Sequence, residues 1–374
     1  MIYITGIIIS AFLSILLLTK RNKSSADKIL FIWLCVITLH LTMFGIISSQ
    51  EYIQFPYFLG LEIPMPLVHS PFLYLYVTAF TTHPARITHK LLHFIPFALA
   101  LLSILPFLLL SFDDKILVYR NGGESYQILT FTIFTVTLLS GVVYCFLSLR
   151  FLYMHKKSIR DNFSYTEKIN LQWLFNLVIG LLCIWVIAFF TPDKYIFSFV
   201  VLYVLFIGYF GIKQVGIFTN PLPATDPSGF ELEEPFDEIE VSAENSKYEK
   251  SFLTDDQLES IHSKLEQLIS QEKLHLVPGL NLSMVAKQLN VHPNILSQVI
   301  NRVEQKNFFD YINNLRVKEF KEKVAKAENQ KYTLLSLAYE CGFNSKTSFN
   351  RNFKNITGQS PSEYLKNLQI KLIE

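Results

Sequence analysis

The sequence holds no His-Glu-x-x-His, no Gly-x-Ser-x-Gly and no paired carboxylates inside its apolar stretches. The usual signatures of metalloproteases and serine hydrolases are therefore missing. Cysteine is scarce, with four in 374 residues. Cys35, Cys145 and Cys183 lie in apolar runs and Cys341 lies in a helical stripe; no pair has metal-site spacing and none suggests a disulfide framework. They read as small buried apolar residues. No metal and no cofactor are expected, and the chain is not expected to be an enzyme. A strong charge of one sign is also lacking, since the net charge is +2. That average hides a split. Up to about Gln214 the chain is mostly apolar and aromatic, and beyond it the chain reads as soluble. From Gly279 to the end, 14 Lys and Arg stand against 8 Asp and Glu, a local excess of +6. Two or three domains are expected at this length.

The first apolar run, 2–18, has no basic residues before it; Lys20, Arg21 and Lys23 follow it. It reads as a retained membrane helix and not as a signal peptide. Six further apolar segments follow at approximately 29–47, 64–82, 91–111, 127–149, 173–191 and 195–213. Most approach the roughly 20 residues needed to cross a bilayer. Pro64, Pro66 and Pro71 interrupt the third. The connecting loops alternate in charge. Loop one carries Lys20, Arg21, Lys23 and Lys28; loop three carries Arg86 and Lys90; loop five carries Arg150, Lys156, Lys157, Arg160 and Lys168. The loop between the second and third segments has acids and no Lys or Arg. Positive charge on every other loop puts loops one, three and five in the cytoplasm, with Met1 outside and the C-terminal third inside.

Few residues in the spans offer chemistry. His40 and His69 are the titratable candidates, and a histidine inside a membrane is a functional hypothesis by default. His69, beside the prolines, is the ligand-sensing candidate, with a partner on a neighbouring helix as the plainer alternative. His83, His89 and His93 near the inner face read as headgroup anchors in preference to a metal site. Residues 215–253 form an acidic linker, with nine acids between Asp226 and Glu249 against Lys247 alone. Such a segment buries little and stays extended or disordered. About 35 flexible residues span on the order of 30 Å on average.

Thr254 followed by Gln257 fits a capping box that opens a helix with a stripe of Leu258, Ile261, Leu265 and Leu268. A duplication follows. Leu334, Leu337, Ala338 and Cys341 fall at i, i+3, i+4 and i+7, one face of a short helix. Gly342 ends it, and Phe349 and Phe353 lie one turn apart on the helix after the turn. Leu282, Val285, Ala286 and Leu289 repeat the stripe 52 residues earlier. There Asn290 takes the turn position, Pro293 suits the first turn of the next helix, and Leu296 and Ile300 stand four apart. This is the pattern of two helix-turn-helix units, at about 282–301 and 334–354. Asn294, Ser297 and Gln298 face away from Leu296 and Ile300 and are the first base-edge candidates. In the second unit Lys346, Thr347, Asn350 and Arg351 lie away from the phenylalanines and can donate to bases and phosphates. Arg351 has a phosphate contact or a salt bridge to Glu340 or Glu363 as its alternative, and Lys354 and Asn355 are placed for the backbone.

The connecting helix, about 307–326, carries Phe308, Ile312 and Leu315 on one side and Val317, Phe320 and Val324 on the other. It reads as a bridge between two small lobes. Twenty residues make about 30 Å, close to the roughly 34 Å between successive major grooves on one face of DNA. Arg316, Lys318, Lys321 and Lys323 on this helix are phosphate candidates, with a solvated face as the alternative.

The residues LSLAYECGF, SFNRNFK and TGQSPSEYL, with Gly358 and Pro361, resemble the AraC/XylS-type DNA-binding domain. The upstream LNLSMVAKQLNVHPNILSQVIN and FFDYINNLRVKEFK resemble its first half. The resemblance covers about 255–368 and implies two helix-turn-helix units joined by a long helix, both reading the major groove. It also implies that Lys346, Thr347, Ser348 and Arg351 occupy DNA-contact positions. The layout is similar to membrane-bound regulators of this type. No sugar-binding cupin-like domain is present, so that family's small-molecule pocket does not carry over.

The fold expected is all-α: a seven-helix transmembrane sensor and anchor over 1–214, the acidic linker over 215–253, and an AraC-type DNA-binding domain over 254–374. The expected function is membrane-bound transcriptional regulation through sequence-specific DNA binding. The expected site residues are Asn294, Ser297, Gln298, Lys346, Thr347, Ser348, Arg351 and Lys354. The expected partners are double-stranded DNA, the lipid bilayer, a second copy of the chain and an unknown membrane or extracellular ligand. The expected location is the cytoplasmic membrane. The runner-up is a transporter or membrane enzyme with an accessory DNA-binding domain, which the absence of charged residues within the spans argues against.

Overall fold

The computed structural model describes residues 2–81, 87–166, 171–213, 254–329 and 331–373. The acidic linker expected at 215–253, and the loop residues Arg86 and Lys168, lie outside them. The described residues are helical and contain no β-strand; one isolated antiparallel bridge joins Phe163 and Asn281. They divide into two compact units. The first takes the residues up to Met154 and those from Leu171 to Lys213; the second takes His155–Thr166 and the residues from Thr254 onward.

The first unit is built from α1 (Ile2–Thr19), α2 (Ser25–Ser48), α3 (Pro66–Thr81), α4 (Ile87–Leu92), α5 (Ile95–Ser103), α6 (Leu105–Leu108), α7 (Phe112–Arg120), most of α8 (Gln127–Asn162), α9 (Gln172–Phe190) and α10 (Asp193–Lys213). Ser24 opens α2 with a capping box to Asp27, and the Asp27 carboxylate also takes the Lys20 ammonium at 2.8 Å. Helix α1 packs on α2 and α10, α2 on α3, and α9 on α10. Their shared core centres on Trp33, Leu34, Tyr76, Leu174, Val178 and Val204. The outer faces are also apolar: Ile4, Ile8, Phe12 and Ile15 on α1, Phe131, Leu139, Val143 and Phe146 on α8, and Phe189 and Phe190 on α9 are exposed.

Three of these helices are long and apolar enough to cross a membrane, namely α2, α8 and α9. Shorter apolar helices cover Tyr3–Thr19 and Tyr195–Phe210, and α3 has 16 residues with Pro71 inside it. The expected span at 91–111 is not one helix. Pro96 and Pro106 each sit in the first turn of a new short helix, after Phe94 and Ile104. Proline supplies no backbone N–H and clashes with the preceding turn, so it starts helices and does not continue them. The opposite correction applies to loop five. The stretch after Arg150 stays helical to Asn162, because it contains neither glycine nor proline and its Leu152 and Ile159 are buried.

The second unit contains α11 (Asp255–Glu272), α12 (Leu282–Leu289), α13 (Pro293–Val303), α14 (Phe308–Ala325), α15 (Leu334–Glu340), α16 (Lys346–Thr357) and α17 (Pro361–Ile373). The capping box at Thr254 and Gln257 is formed. Helix α14 carries two cores. Phe308, Tyr311 and Ile312 join Leu265, Leu282, Val285, Leu296 and Ile300, while Val317 and Phe320 join Leu337, Cys341, Phe343, Phe349 and Phe353. The Phe320 ring lies 4.6 Å from that of Phe349 and 5.5 Å from that of Phe353.

The duplication holds at the level of single backbone bonds. The Val291 N–H donates to the Ala286 carbonyl and Asn290 to Lys287; the Phe343 N–H donates to Ala338 and Gly342 to Tyr339. Each set closes a helix end through a left-handed residue, Asn290 at φ 53° and Gly342 at φ 85°. At Gly342 a Cβ would also stand 2.8 Å from the carbonyl oxygens of His275 and Leu276. Arg316 is another correction. The guanidinium expected near phosphates is fully buried. Its Nε donates to the His275 carbonyl at 2.7 Å, and Nη2 donates to the Val277 carbonyl at 2.9 Å and to Ser164 Oγ at 3.2 Å.

Two substitutions test this frame in the full chain held in lipid nanodiscs. Gly342→Ala is expected to cost more than about 2 kcal/mol, the upper cost of a left-handed Cβ alone, because the His275–Leu276 turn must also move. Arg316→Met is expected to cost at least about 3 kcal/mol, since it strips several hydrogen bonds to a charged group from buried carbonyls. Hydrogen exchange measured by mass spectrometry reads both. Arg316→Met should raise exchange in 155–166 and 273–280 together, and exchange confined to α14 would contradict the arrangement.

Candidate nucleic-acid interface

The two helices after the tight turns, α13 and α16, are amphipathic, and their core faces fix which side chains look outward. On α13 Leu296, Val299 and Ile300 are buried, which leaves Asn294, Gln298, Asn301 and Arg302 exposed on the opposite side. Ser297 is half-buried and accepts from Asn301 Nδ2 at 3.3 Å. Pro293 occupies the first turn, and the His292 ring caps the helix by accepting the Asn294 N–H at 3.2 Å.

On α16 the buried face is Phe349 and Phe353, and Lys346, Thr347, Asn350, Arg351 and Lys354 are exposed along one stripe at i, i+1, i+4, i+5 and i+8. Ser345 caps this helix by accepting the Ser348 N–H at 3.0 Å. The free N–H groups of the first turn add partial positive charge beside Lys346. Ser348 departs from the expected set. It is buried, and its hydroxyl and carbonyl both accept from Asn352. Position N3 of this helix turns toward the core, so Ser348 holds the helix end and does not face outward.

Neither expected alternative partner of Arg351 is formed by the groups that surround it. Glu340 takes Lys323 at 2.8 Å. Glu363 accepts from the N–H and hydroxyl of Ser360, both at 2.7 Å, which holds its carboxyl below the usual range. Arg351 instead donates to Thr166 Oγ1 at 3.0 Å. Thr166 belongs to the segment His155–Thr166, which is built into this unit: Arg160 forms a two-oxygen pair with Asp310 at 2.8 Å, and the Ser164 hydroxyl donates to the Leu280 carbonyl at 2.6 Å. Of the other basic candidates on α14, Lys318 and Lys321 are exposed.

The remaining candidates resolve as follows. Burial pushes the Cys341 thiol up to about 12, and the side chain belongs to the second core. Burial lowers the His275 imidazole below its ordinary value, against the opposing pull of Glu319. His262, Glu266 and Glu304 gather their ligand atoms within 4.8 Å of one another. Sequence spacing gave no sign of this trio because Glu304 comes from the far end of α13; His262 Nε2 and Glu304 are bonded at 2.9 Å. In the first unit His69 lies against His40 and Trp33 on the wall of a cavity. His93 bonds the Tyr144 hydroxyl at 3.0 Å, while the side chains of His83 and His89 lie outside the described residues. Arg302 and Asn301 extend the α13 face beyond the residues picked from the sequence, and the same helical period would have found them.

The family match lies within the second unit. Residues 285–367 match a family model described as a helix-turn-helix domain. The chain is also similar to the Msm operon regulatory protein of Streptococcus mutans serotype c (strain ATCC 700610 / UA159), at 28% identity over 116 residues. That match covers 30% of this chain and 41% of the relative, so less than half of the curated relative's length is represented. No solved structure matches the chain. The C-terminal third therefore carries a helix-turn-helix domain.

Proposed function

We propose that the protein is a transcriptional regulator that binds double-stranded DNA through α13 and α16, each laid in a major groove. The observation that carries this reading is the duplication: two capped helices of opposite polarity across their width, each with a buried apolar face and an exposed polar or basic face. The match to a helix-turn-helix domain over 285–367 supports it, as does the likeness to a protein named as an operon regulator. Asn294 and Gln298 are the base-edge residues of the first unit, since amide side chains pair well with adenine. Ser297 lies at the edge of that face. Lys346, Thr347 and Arg351 serve the second unit, with Arg351 suited to guanine, and Lys354 neutralises phosphate. The chain carries out no catalysis in this reading.

The first unit anchors the protein in the cytoplasmic membrane with Met1 outside and the reader in the cytoplasm. Exposed Ile, Leu and Phe on α1, α8 and α9 favour a lipid surround, because apolar area in water costs roughly 25 cal/mol per Å². The three helices long and apolar enough to cross a membrane, α2, α8 and α9, support the spanning arrangement. A signal in the membrane shifts the population of the reader between states of different DNA affinity or different dimerisation. The segment His155–Thr166 is the element through which this reaches the DNA face. It begins within α8, caps Arg316 and touches Arg351.

The reading is tested by anisotropy titration of a duplex library with the full chain in nanodiscs across a salt series. Affinity should fall steeply with salt. Lys354→Ala should weaken binding to all duplexes and reduce the salt slope by about one. Arg351→Ala should cost about 1–3 kcal/mol on preferred duplexes and much less on the rest. Equal losses across all duplexes would remove Arg351 from base reading.

A further inference from the structure

The first unit holds a partly open cavity of about 290 Å³ whose wall is mainly aliphatic and aromatic. At roughly 30 Å³ for each small group, that is room for about ten non-hydrogen atoms. Three polar residues on its wall are linked, and their protonation can be worked out. The Trp33 indole N–H is a donor only, and it points at His69 Nδ1 at 3.2 Å. His69 Nδ1 therefore accepts, and the neutral ring carries its hydrogen on Nε2. That Nε2 lies 2.9 Å from His40 Nδ1, so it donates there. By the same rule the neutral His40 ring carries its hydrogen on Nε2. The chain of donors runs Trp33, His69, His40 and ends on an N–H at the cavity wall. The rings are held for this: His40 and His69 stack at 5.2 Å, and Phe197 meets His40 edge-on at 5.1 Å.

Trp185 lines the same wall with its ring, while its indole nitrogen is buried away from the cavity surface and has no hydrogen-bond partner among the described residues. Gly141 fixes its seat, since a Cβ there would stand 2.8 Å from the indole ring. Glu62 also borders the cavity, with its carboxylate accepting from the Tyr119 hydroxyl. An apolar cavity with a few convergent polar groups is the usual form of a small-molecule site. The His40 donor calls for an acceptor on the ligand, and the nearby carboxylate disfavours an anion.

We propose that this cavity binds an uncharged apolar molecule of about ten non-hydrogen atoms bearing one carbonyl oxygen — a medium-chain ketone, ester or lactone — with the oxygen directed at His40. His40 is the residue that meets the ligand, and His69 positions it. The site stands on the cavity alone and does not require the sensing role, although it supplies that role with a ligand class.

The test uses the full chain in nanodiscs and 2-nonanone labelled with ¹³C at the carbonyl, with decane as the control of equal size. Saturable binding is expected for the ketone, with a carbonyl resonance shifted downfield of the lipid-dissolved ketone, as hydrogen-bond donation requires. Decane should bind at least tenfold more weakly. His40→Leu should weaken the ketone by about tenfold, the value of one hydrogen bond, and move its resonance upfield. Ala188→Phe, on the cavity wall one turn along α9 from Trp185, should abolish saturation by filling the space. Absence of saturable binding by the wild type, equal binding of decane, or an unchanged resonance in His40→Leu would overturn the assignment. If the ketone binds as described but leaves DNA affinity unchanged, the site stands and its sensing role falls.

Discussion

A single buried guanidinium sets the geometry of the DNA-facing unit. Arg316 sits on α14 at the point where that helix passes from one core to the other. Its donors take the carbonyls of His275 and Val277 and the hydroxyl of Ser164, and its plane lies 5.9 Å from the Phe343 ring. The His275 carbonyl is also the group that a side chain at Gly342 would strike. The turn after α11, the turn before α16 and the segment around Ser164 are thus gathered on one cation. A buried charge is tolerable only when its donors are satisfied. Loss of any of these three pieces therefore leaves an expensive defect, and the pieces stay together.

That constraint has a functional consequence. The segment His155–Thr166 is far from α14 in sequence, yet it supplies both an acceptor for Arg316 and a contact for Arg351. A change carried along α8 would first reach the core of the reader and then one of its outward-facing arginines. In the proposed regulator, a signal in the membrane needs no separate relay to the DNA face if this segment has two arrangements of similar energy.

The local features of the reader were legible in the sequence because they depend on near neighbours. Asn290 and Gly342 announce left-handed helix ends, Thr254 and Gln257 announce a cap, and the two-sided pattern of α14 announces two lobes. What the sequence concealed depends on distant partners or on competing local rules. Arg316 reads as a surface cation until Ser164, 152 residues earlier, is placed beside it. Ser348 reads as a polar contact residue until Asn352 and the cap at Ser345 turn it inward. The apolar run at 91–111 satisfies a length criterion for a span, but Pro96 and Pro106 divide it. His40 and His69 both stand out in the sequence as titratable candidates, but only their pairing across 29 residues assigns the ring that presents an N–H to the cavity.

In the proposed regulator two equivalent helices, α13 and α16, held apart by α14, read DNA in register. Selection from random duplexes with the full chain in nanodiscs, sequenced after several rounds at moderate salt, tests it most directly. A bipartite motif is expected, with its two elements about one helical turn apart, roughly 10 base pairs, in which Arg351→Ala blurs one element and Gln298→Ala blurs the other. Enrichment of no sequence at any salt concentration, or of a single element that both variants blur alike, would contradict it.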